Sequence, residues 1–126
     1  INKLDTNGNS VQFYGSVGSS KDMVSRGCLK VSRRELNADE SRVFDPVPSG
    51  NSEQKLKPGE IVPIEVAIMP QSTFFAAGES IQLIISSKEI IPTPPFRKNV
   101  DNNGGRHVFH CGGEYNSYLL IPKIPS

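Results

Sequence analysis

The sequence predicts an all-β domain, an antiparallel β-sandwich, on three observations. Apolar residues alternate with a two-residue period through Val62, Ile64, Val66 and Ile68, and again through Ile81, Leu83 and Ile85, which is the period of a strand burying one face. Eleven glycines and ten prolines collect between short apolar runs, so turns punctuate the chain at the spacing of a sandwich. No stretch shows the 3.6-residue apolar period of a convincing helix. At 126 residues the chain is read as one domain, 1–126, with a single core.

Taken in order, residues 1–10 hold a turn at Asn7-Gly8, a pair that favours a type I′ hairpin because both residues accept positive φ. The same stretch is no calcium loop: counted from Asp5, the sixth and twelfth positions hold Ser10 and Ser16, where such a loop needs glycine and glutamate. "VQFY" at 11–14 reads as a strand, and 15–27 as a loop with room for one helical turn. Residues 28–36, "CLKVSRREL", read as a strand with Cys28, Lys30 and Ser32 on one face and Leu29, Val31 and Arg33 on the other. Residues 41–56 are polar and interrupted by Pro46 and Pro48, the composition of an extended crossing loop. Lys57-Pro58-Gly59-Glu60 is a turn. The alternating strand that follows carries Pro63, which cannot donate to a neighbour and places the strand at an edge there. A turn over 74–79 leads to the second alternating strand, "PTPPF" at 92–96 and "DNNGG" at 101–105 are loops, and "HVFHC" and "SYLLIP" are the last short strands. A fully buried aliphatic side chain contributes about 1.5–3 kcal/mol, so the alternating residues are the expected core.

Composition narrows the function. Fourteen Lys and Arg balance thirteen Asp and Glu, which gives no reason to expect a nucleic-acid or anionic-membrane partner. No apolar run is long enough to span a bilayer or reads as a signal peptide. The hydrophobic fraction of 36% and the absence of tryptophan make a lean core. The first residue is Ile1 rather than methionine, so the chain is expected to be a piece of something longer. Cys28 and Cys111 do not make a disulfide framework; two free buried thiols are the expected state, with pairing left open.

The densest chemistry lies in "GGRHVFHCGG", residues 104–113. In a strand His107, Phe109 and Cys111 share one face and His110 takes the other. His107 and Cys111 are then about 13 Å apart at the strand rise of about 3.3 Å per residue, whereas zinc needs ligands about 2.0–2.3 Å from one centre. The sequence holds no CxxC, no HExxH and no third histidine, so no metal site is expected. A Cys–His nucleophile pair needs hydrogen-bond contact, and His110 and Cys111 diverge in a strand. Ser16, in "GSVGS", does not join a parallel strand to a helix and has no nucleophile-elbow mechanics. Gly104, Gly105, Gly112 and Gly113 are turn glycines without the phosphate-loop pattern. Of Glu60, Glu65 and Glu79, the first and last lie in turns, as solvated carboxylates normally do, and only a measured separation would make them paired acids. Arg33-Arg34 with Lys30 is the densest basic spot; strand alternation splits the arginines between faces, leaving a surface patch or a salt link into a neighbouring domain.

Several stretches in order resemble the C-terminal β-sandwich domain of the X-Pro dipeptidyl-peptidase and cocaine-esterase class of serine hydrolases. They are "GCLKVSRREL" (27–36), "LKPGEIVPIEVAIMPQSTFFAAGESIQLIISS" (56–87), "NNGG" (102–105) and "YNSYLLIPKIP" (115–125). The family's landmarks fall on Arg33-Arg34, the Pro58-Gly59 turn, Met69-Pro70-Gln71-Ser72, Phe75-Ala76-Ala77-Gly78, Ser86-Ser87, and Tyr115, Ser117, Leu119 and Pro122. Two departures stand out: the family's "ASHRE" is "VSRRE" here, with Arg33 in place of the histidine, and "FHCGG" at 109–113 is unlike the usual segment.

The resemblance implies a jelly-roll-like sandwich that serves as a non-catalytic accessory domain. Its partner would be the α/β-hydrolase catalytic domain of a parent chain acting on esters or X-Pro peptides, which this domain would brace and whose substrate pocket it would help to wall. The family's Ser-Asp-His triad belongs to that other domain, so the resemblance implies no catalytic, cofactor-binding or metal-binding residue and no cofactor here. It also implies that part of the first sheet precedes this chain. The apolar surface then left uncovered, with Phe74, Phe75 and Phe96 as its candidates, is expected to drive homo-oligomerisation. An independent binding module, such as a carbohydrate-binding sandwich, is the alternative.

Overall fold

The computed structural model describes residues 1–15, 22–87, 90 and 106–124. Its regular elements are β1 (Asn2–Leu4), β2 (Ser10–Val11), one 3-10 turn (Val31–Arg33) and β3 (Ser80–Gln82). The three strands form one antiparallel sheet in the order β2-β1-β3. The fold is all-β.

The β1–β2 hairpin forms where the sequence places it, but by a different turn. Gly8 has φ 82°, while no non-glycine residue among the described ones has a positive φ, so Asn7 does not take the left-handed conformation that a type I′ turn requires. Asp5 organises the loop instead. Its Oδ1 accepts from the backbone N–H groups of Asn7 and Asn9, each at 2.8 Å, and Asp5 N–H donates to Asn9 O. An aspartate folded onto its own downstream backbone replaces the second left-handed residue.

The pairing of β1 with β3 closes a connection of some 80 residues, with Lys3 opposite Ile81 and Leu4 opposite Ser80. Its register is reinforced by the Asn2 side-chain amide, which donates to Gln82 Oε1. A second long-range contact lays residues 25–27 beside 67–69. Met69 N–H donates to Arg26 O at 3.0 Å, and the Ser25 hydroxyl donates to Met69 O. At that crossing the two backbones approach so closely that a Cβ on Gly27 would collide with the Ala67 carbonyl oxygen.

Residues 28–36 are not the expected strand. Lys30 O accepts from Arg33 N–H and Val31 O from Arg34 N–H, which winds the middle of this stretch into the 3-10 turn. The side chains of this turn bind the segment that passes it rather than a sheet, as shown below. Nor are residues 41–56 simply an extended crossing. Residues 35–49 make an excursion closed at its neck by a bridge between Leu36 and Pro48 and by hydrogen bonds from Asn37 N–H to Val47 O and from Ser49 N–H to Glu35 O.

The expected core needs correction. Val62 and Ile68 are half-buried, but Ile64, Val66, Ile81, Leu83 and Ile85 are 37–55% exposed, and no hydrophobic residue among the described ones is fully buried. Of those residues only Ser25 and Pro46 are buried. Residues 61–69, expected as an alternating strand, carry no strand, and of the expected strand at 81–85 only Ile81 and Gln82 lie in β3. An alternating segment buries its apolar side only against a second layer, and one sheet of short strands does not supply it. The expected loops at 92–96 and 101–105, and Phe96 with them, fall outside the described residues, as do Ser16, Gly104 and Gly105.

Candidate functional site

The histidine–cysteine stretch is an exposed strip with a tight turn at its end. Gly112 and Tyr115 exchange backbone hydrogen bonds across Gly113-Glu114, and both glycines have positive φ, 77° and 58°. This turn folds Tyr115 back on His110, with ring centroids 4.9 Å apart and planes tilted by 42°, and the Ser117 hydroxyl donates to His110 O. His110 is therefore a packing element of the turn. His107 is exposed. Cys28 and Cys111 are both free thiols, and both are exposed rather than buried as expected. Among the described residues no group of three His, Cys, Asp or Glu side chains could hold a metal ion.

Arg33 and Arg34 were expected on opposite faces, and the 3-10 turn overrides that alternation by sending both to one neighbouring segment. Arg33 Nη1 donates to Gly50 O and Ser52 O, at 2.9 and 3.3 Å, and Arg34 Nη1 donates to Gln54 O at 2.8 Å and to Val31 O. Lys30 Nζ lies 2.8 Å from Glu53 Oε1, which also accepts from the Ser32 hydroxyl. These two donors hold the Glu53 carboxyl below its usual range, the Lys30 contact being the larger cause. Glu35 completes the clamp by accepting from the Ser49 and Ser52 hydroxyls. The basic cluster is thus occupied within this chain and pins residues 49–54.

The glutamates are also structural where their partners are seen. Glu60 accepts from Lys57 N–H and closes the Pro58-Gly59 turn, with Gly59 at φ 78°. Glu79 accepts from Ala76 N–H and pairs with Lys3.

A cleft of about 470 Å³ is lined by Lys3, Phe13, Tyr14, Asp22, Phe74 and neighbouring residues. A backbone bridge between Phe13 and Asp22 holds one wall, and Phe74, 81% exposed, forms another. The cation in this cleft is already engaged: Lys3 Nζ donates to Phe74 O at 2.8 Å, pairs with Glu79 at 2.7 Å and stands 5.5 Å from the centre of the Phe75 ring. Phe75 is half-buried beneath that ammonium while Phe74 faces solvent, so the two adjacent aromatics differ in role. What remains available is aromatic surface beside the Asp22 carboxyl, one oxygen of which accepts from Met23 N–H. Such a surface can receive an apolar group and has no nucleophile with its base.

Ile61, Met69, Leu83, Ile85, Val108 and Phe109 are exposed as well. Such exposure was expected from the sequence at Phe74 and Phe75, and Phe74 shows it. Its signal was the contrast between strong strand alternation and a lean hydrophobic fraction.

Residues 1–120 match the family model of the X-Pro dipeptidyl-peptidase C-terminal non-catalytic domain. Among solved structures the chain is similar to a CocE/NonD family hydrolase from Staphylococcus aureus, at 38% identity and a TM-score of 0.60, over 62% of this chain and 14% of that chain. The similarity therefore spans a small part of that hydrolase's length. No curated protein matches the chain.

Proposed function

Because the chain belongs to the family of X-Pro dipeptidyl-peptidase C-terminal non-catalytic domains, we propose that it is the accessory β-domain, jelly-roll-like in plan, of a serine hydrolase of the X-Pro dipeptidyl-peptidase or acyl-esterase type. In that enzyme a Ser-His-Asp triad on a separate catalytic domain would attack an ester or amide carbonyl and pass through an acyl-enzyme. This domain would brace the catalytic domain and contribute a wall to the substrate pocket. One observation carries the proposal: the apolar residues that alternate at 62–68 and 81–85 are left half-buried or exposed, with no hydrophobic among the described residues fully buried. A surface of that kind calls for a second body to cover it.

The test uses the parent hydrolase with and without this segment, assayed on a chromogenic acyl ester and on an X-Pro peptide. Deletion should lower stability and activity together, and the segment alone should turn over neither substrate. Turnover by the purified segment that disappears on Cys111→Ala would overturn the proposal. Exposed Phe74 and Tyr14 at the cleft are the one observation favouring the alternative of a carbohydrate-binding module, since sugar rings stack on exposed aromatics. Calorimetric titration with oligosaccharides distinguishes the two.

A further inference from the structure

The excursion at 35–49 ends in a feature that the clamp and the cleft do not explain. Arg42 and Asp45 exchange backbone hydrogen bonds of 2.9 and 3.0 Å, so Val43 and Phe44 form a two-residue tip. Neither has a positive φ. Turn tips favour Gly, Asn, Asp, Ser and Pro, yet here a β-branched residue and an aromatic stand side by side, 84% and 80% exposed. The stem beneath them is held in several places. Ser41 N–H donates to Asn37 O, the Ser41 hydroxyl both donates to Val47 O and accepts from Val47 N–H, and Asp39 N–H donates to Asn37 Oδ1. Pro46, buried, stiffens the return. An apolar tip on a stem already ordered loses little entropy when it docks.

We propose that Val43-Phe44 is the anchor by which this domain seats on the catalytic domain of its parent hydrolase, entering an apolar pocket rimmed by Lys or Arg side chains. The proposal rests on the accessory-domain reading above. Charge selects the partner. Asp39, Glu40 and Asp45 flank the tip, all exposed, against the single cation of Arg42, whose guanidinium donates to the carbonyls of Asp39 and Ser41. An acidic collar around an apolar plug fits a basic rim. The same collar disfavours a second copy of this chain, because the aromatic cleft presents the Asp22 carboxyl and its Lys3 is already paired with Glu79. A buried aromatic at the centre of a contact is the usual energetic anchor of an interface.

The experiment is hydroxyl-radical footprinting of the full-length hydrolase, with a peptide spanning residues 39–47 as the unprotected reference. Phe44 should be oxidised roughly tenfold more slowly than in the peptide, and Phe44→Ser should raise the rate at which protease frees the domain by roughly tenfold, the loss expected of a desolvated aromatic anchor. The hydrogen bonds of the tip are main-chain, so this variant keeps its hairpin. Phe44 oxidised at the peptide's rate while Leu83, Ile85 and Phe109 are protected overturns this inference and leaves the accessory-domain reading standing. All four residues oxidised freely overturns both. Protection of Phe44 that disappears on dilution assigns the tip to a second copy and also overturns the inference.

Discussion

Lys3 Nζ lies 2.7 Å from Glu79 Oε2, which ties β1 to the turn that launches β3. The two residues are far apart in sequence, and the same ammonium also holds Phe74 O and faces the Phe75 ring. One lysine therefore fastens the sheet at its only long-range strand pair among the described residues. Lys3→Met keeps the apolar stem and removes the charge. Amide exchange at residues 2–4 and 80–82 should accelerate in this variant, while residues 42–47 exchange as before. Lys3→Arg should restore most of the protection. Unchanged exchange in Lys3→Met would show that backbone pairing alone sets the register.

The carboxylates predict an acid limb in stability. Glu79 is held below its usual range first by the Lys3 hydrogen bond and then by Ala76 N–H, and Asp5 first by Asn9 N–H; Glu53 is lowered by Lys30 and Ser32. A group whose folded pKa is depressed binds protons more readily in the unfolded chain. Its stabilisation is therefore present above the unfolded carboxylate range of about 4 and is lost as pH falls through the folded values. Thermal midpoints should be insensitive to these groups between about pH 5 and 7 and decline below about pH 4. Asp5→Ala should flatten part of that decline and increase exchange at Asn7 and Asn9.

How far the sequence could be read follows from which residues fix their structure locally. Asn7-Gly8 and Pro58-Gly59 placed their turns because a glycine's positive φ is a local property, seen at 82° and 78°. The alternation at 81–85 overlaps β3 at Ile81 and Gln82, and the order of the landmarks pointed to the family whose model matches residues 1–120. Residues 28–36 misled because Val31 and Leu29 supply strand-like alternation, while the decisive partners, the carbonyls of residues 50, 52 and 54, arrive from a distant segment. The same is true of the half-open core. Periodicity says which side of a strand is apolar, but not whether the layer that covers it belongs to the same chain. The Val43-Phe44 tip was hidden by its composition, since Val and Phe are poor markers of a turn.

Gly27 tests the crossing of residues 25–27 with 67–69. A methyl group there meets the Ala67 carbonyl oxygen, which is backbone and cannot swing aside. Gly27→Ala should cost about 1–3 kcal/mol, the range for forcing extra volume into a packed site. Denaturant titration of the parent protein would measure it. A loss below about 0.5 kcal/mol, the size of an ordinary surface substitution, would mean that the crossing adjusts at little cost. Ala at Gly59 makes a useful contrast: that glycine faces open space at φ 78°, so any cost there comes from the left-handed backbone, about 1–2 kcal/mol, and not from collision.

Taken by itself, the chain presents strand edges and exposed apolar residues together among its described residues. In the sheet order β2-β1-β3 both outer strands are edges among the described residues, and β3 continues into Leu83, Ile84 and Ile85, all exposed. An unpaired edge running into apolar residues recruits another strand, and contiguous apolar patches above roughly 400 Å² are unusual on a settled monomer. Phe74 adds a protruding aromatic nearby, whereas Phe75 is half-buried under Lys3 and contributes less. The separated chain should therefore self-associate, and its mass by light scattering should climb with concentration and fall on dilution, while it binds an apolar dye. The pair of changes Leu83→Lys and Ile85→Lys should lower both signals, since like charges along an edge oppose pairing. Phe74→Ser should reduce dye binding with a smaller effect on mass. A constant monomeric mass with no dye binding would show that this surface is stable in water uncovered, and the case for a covering catalytic domain would lose its physical basis.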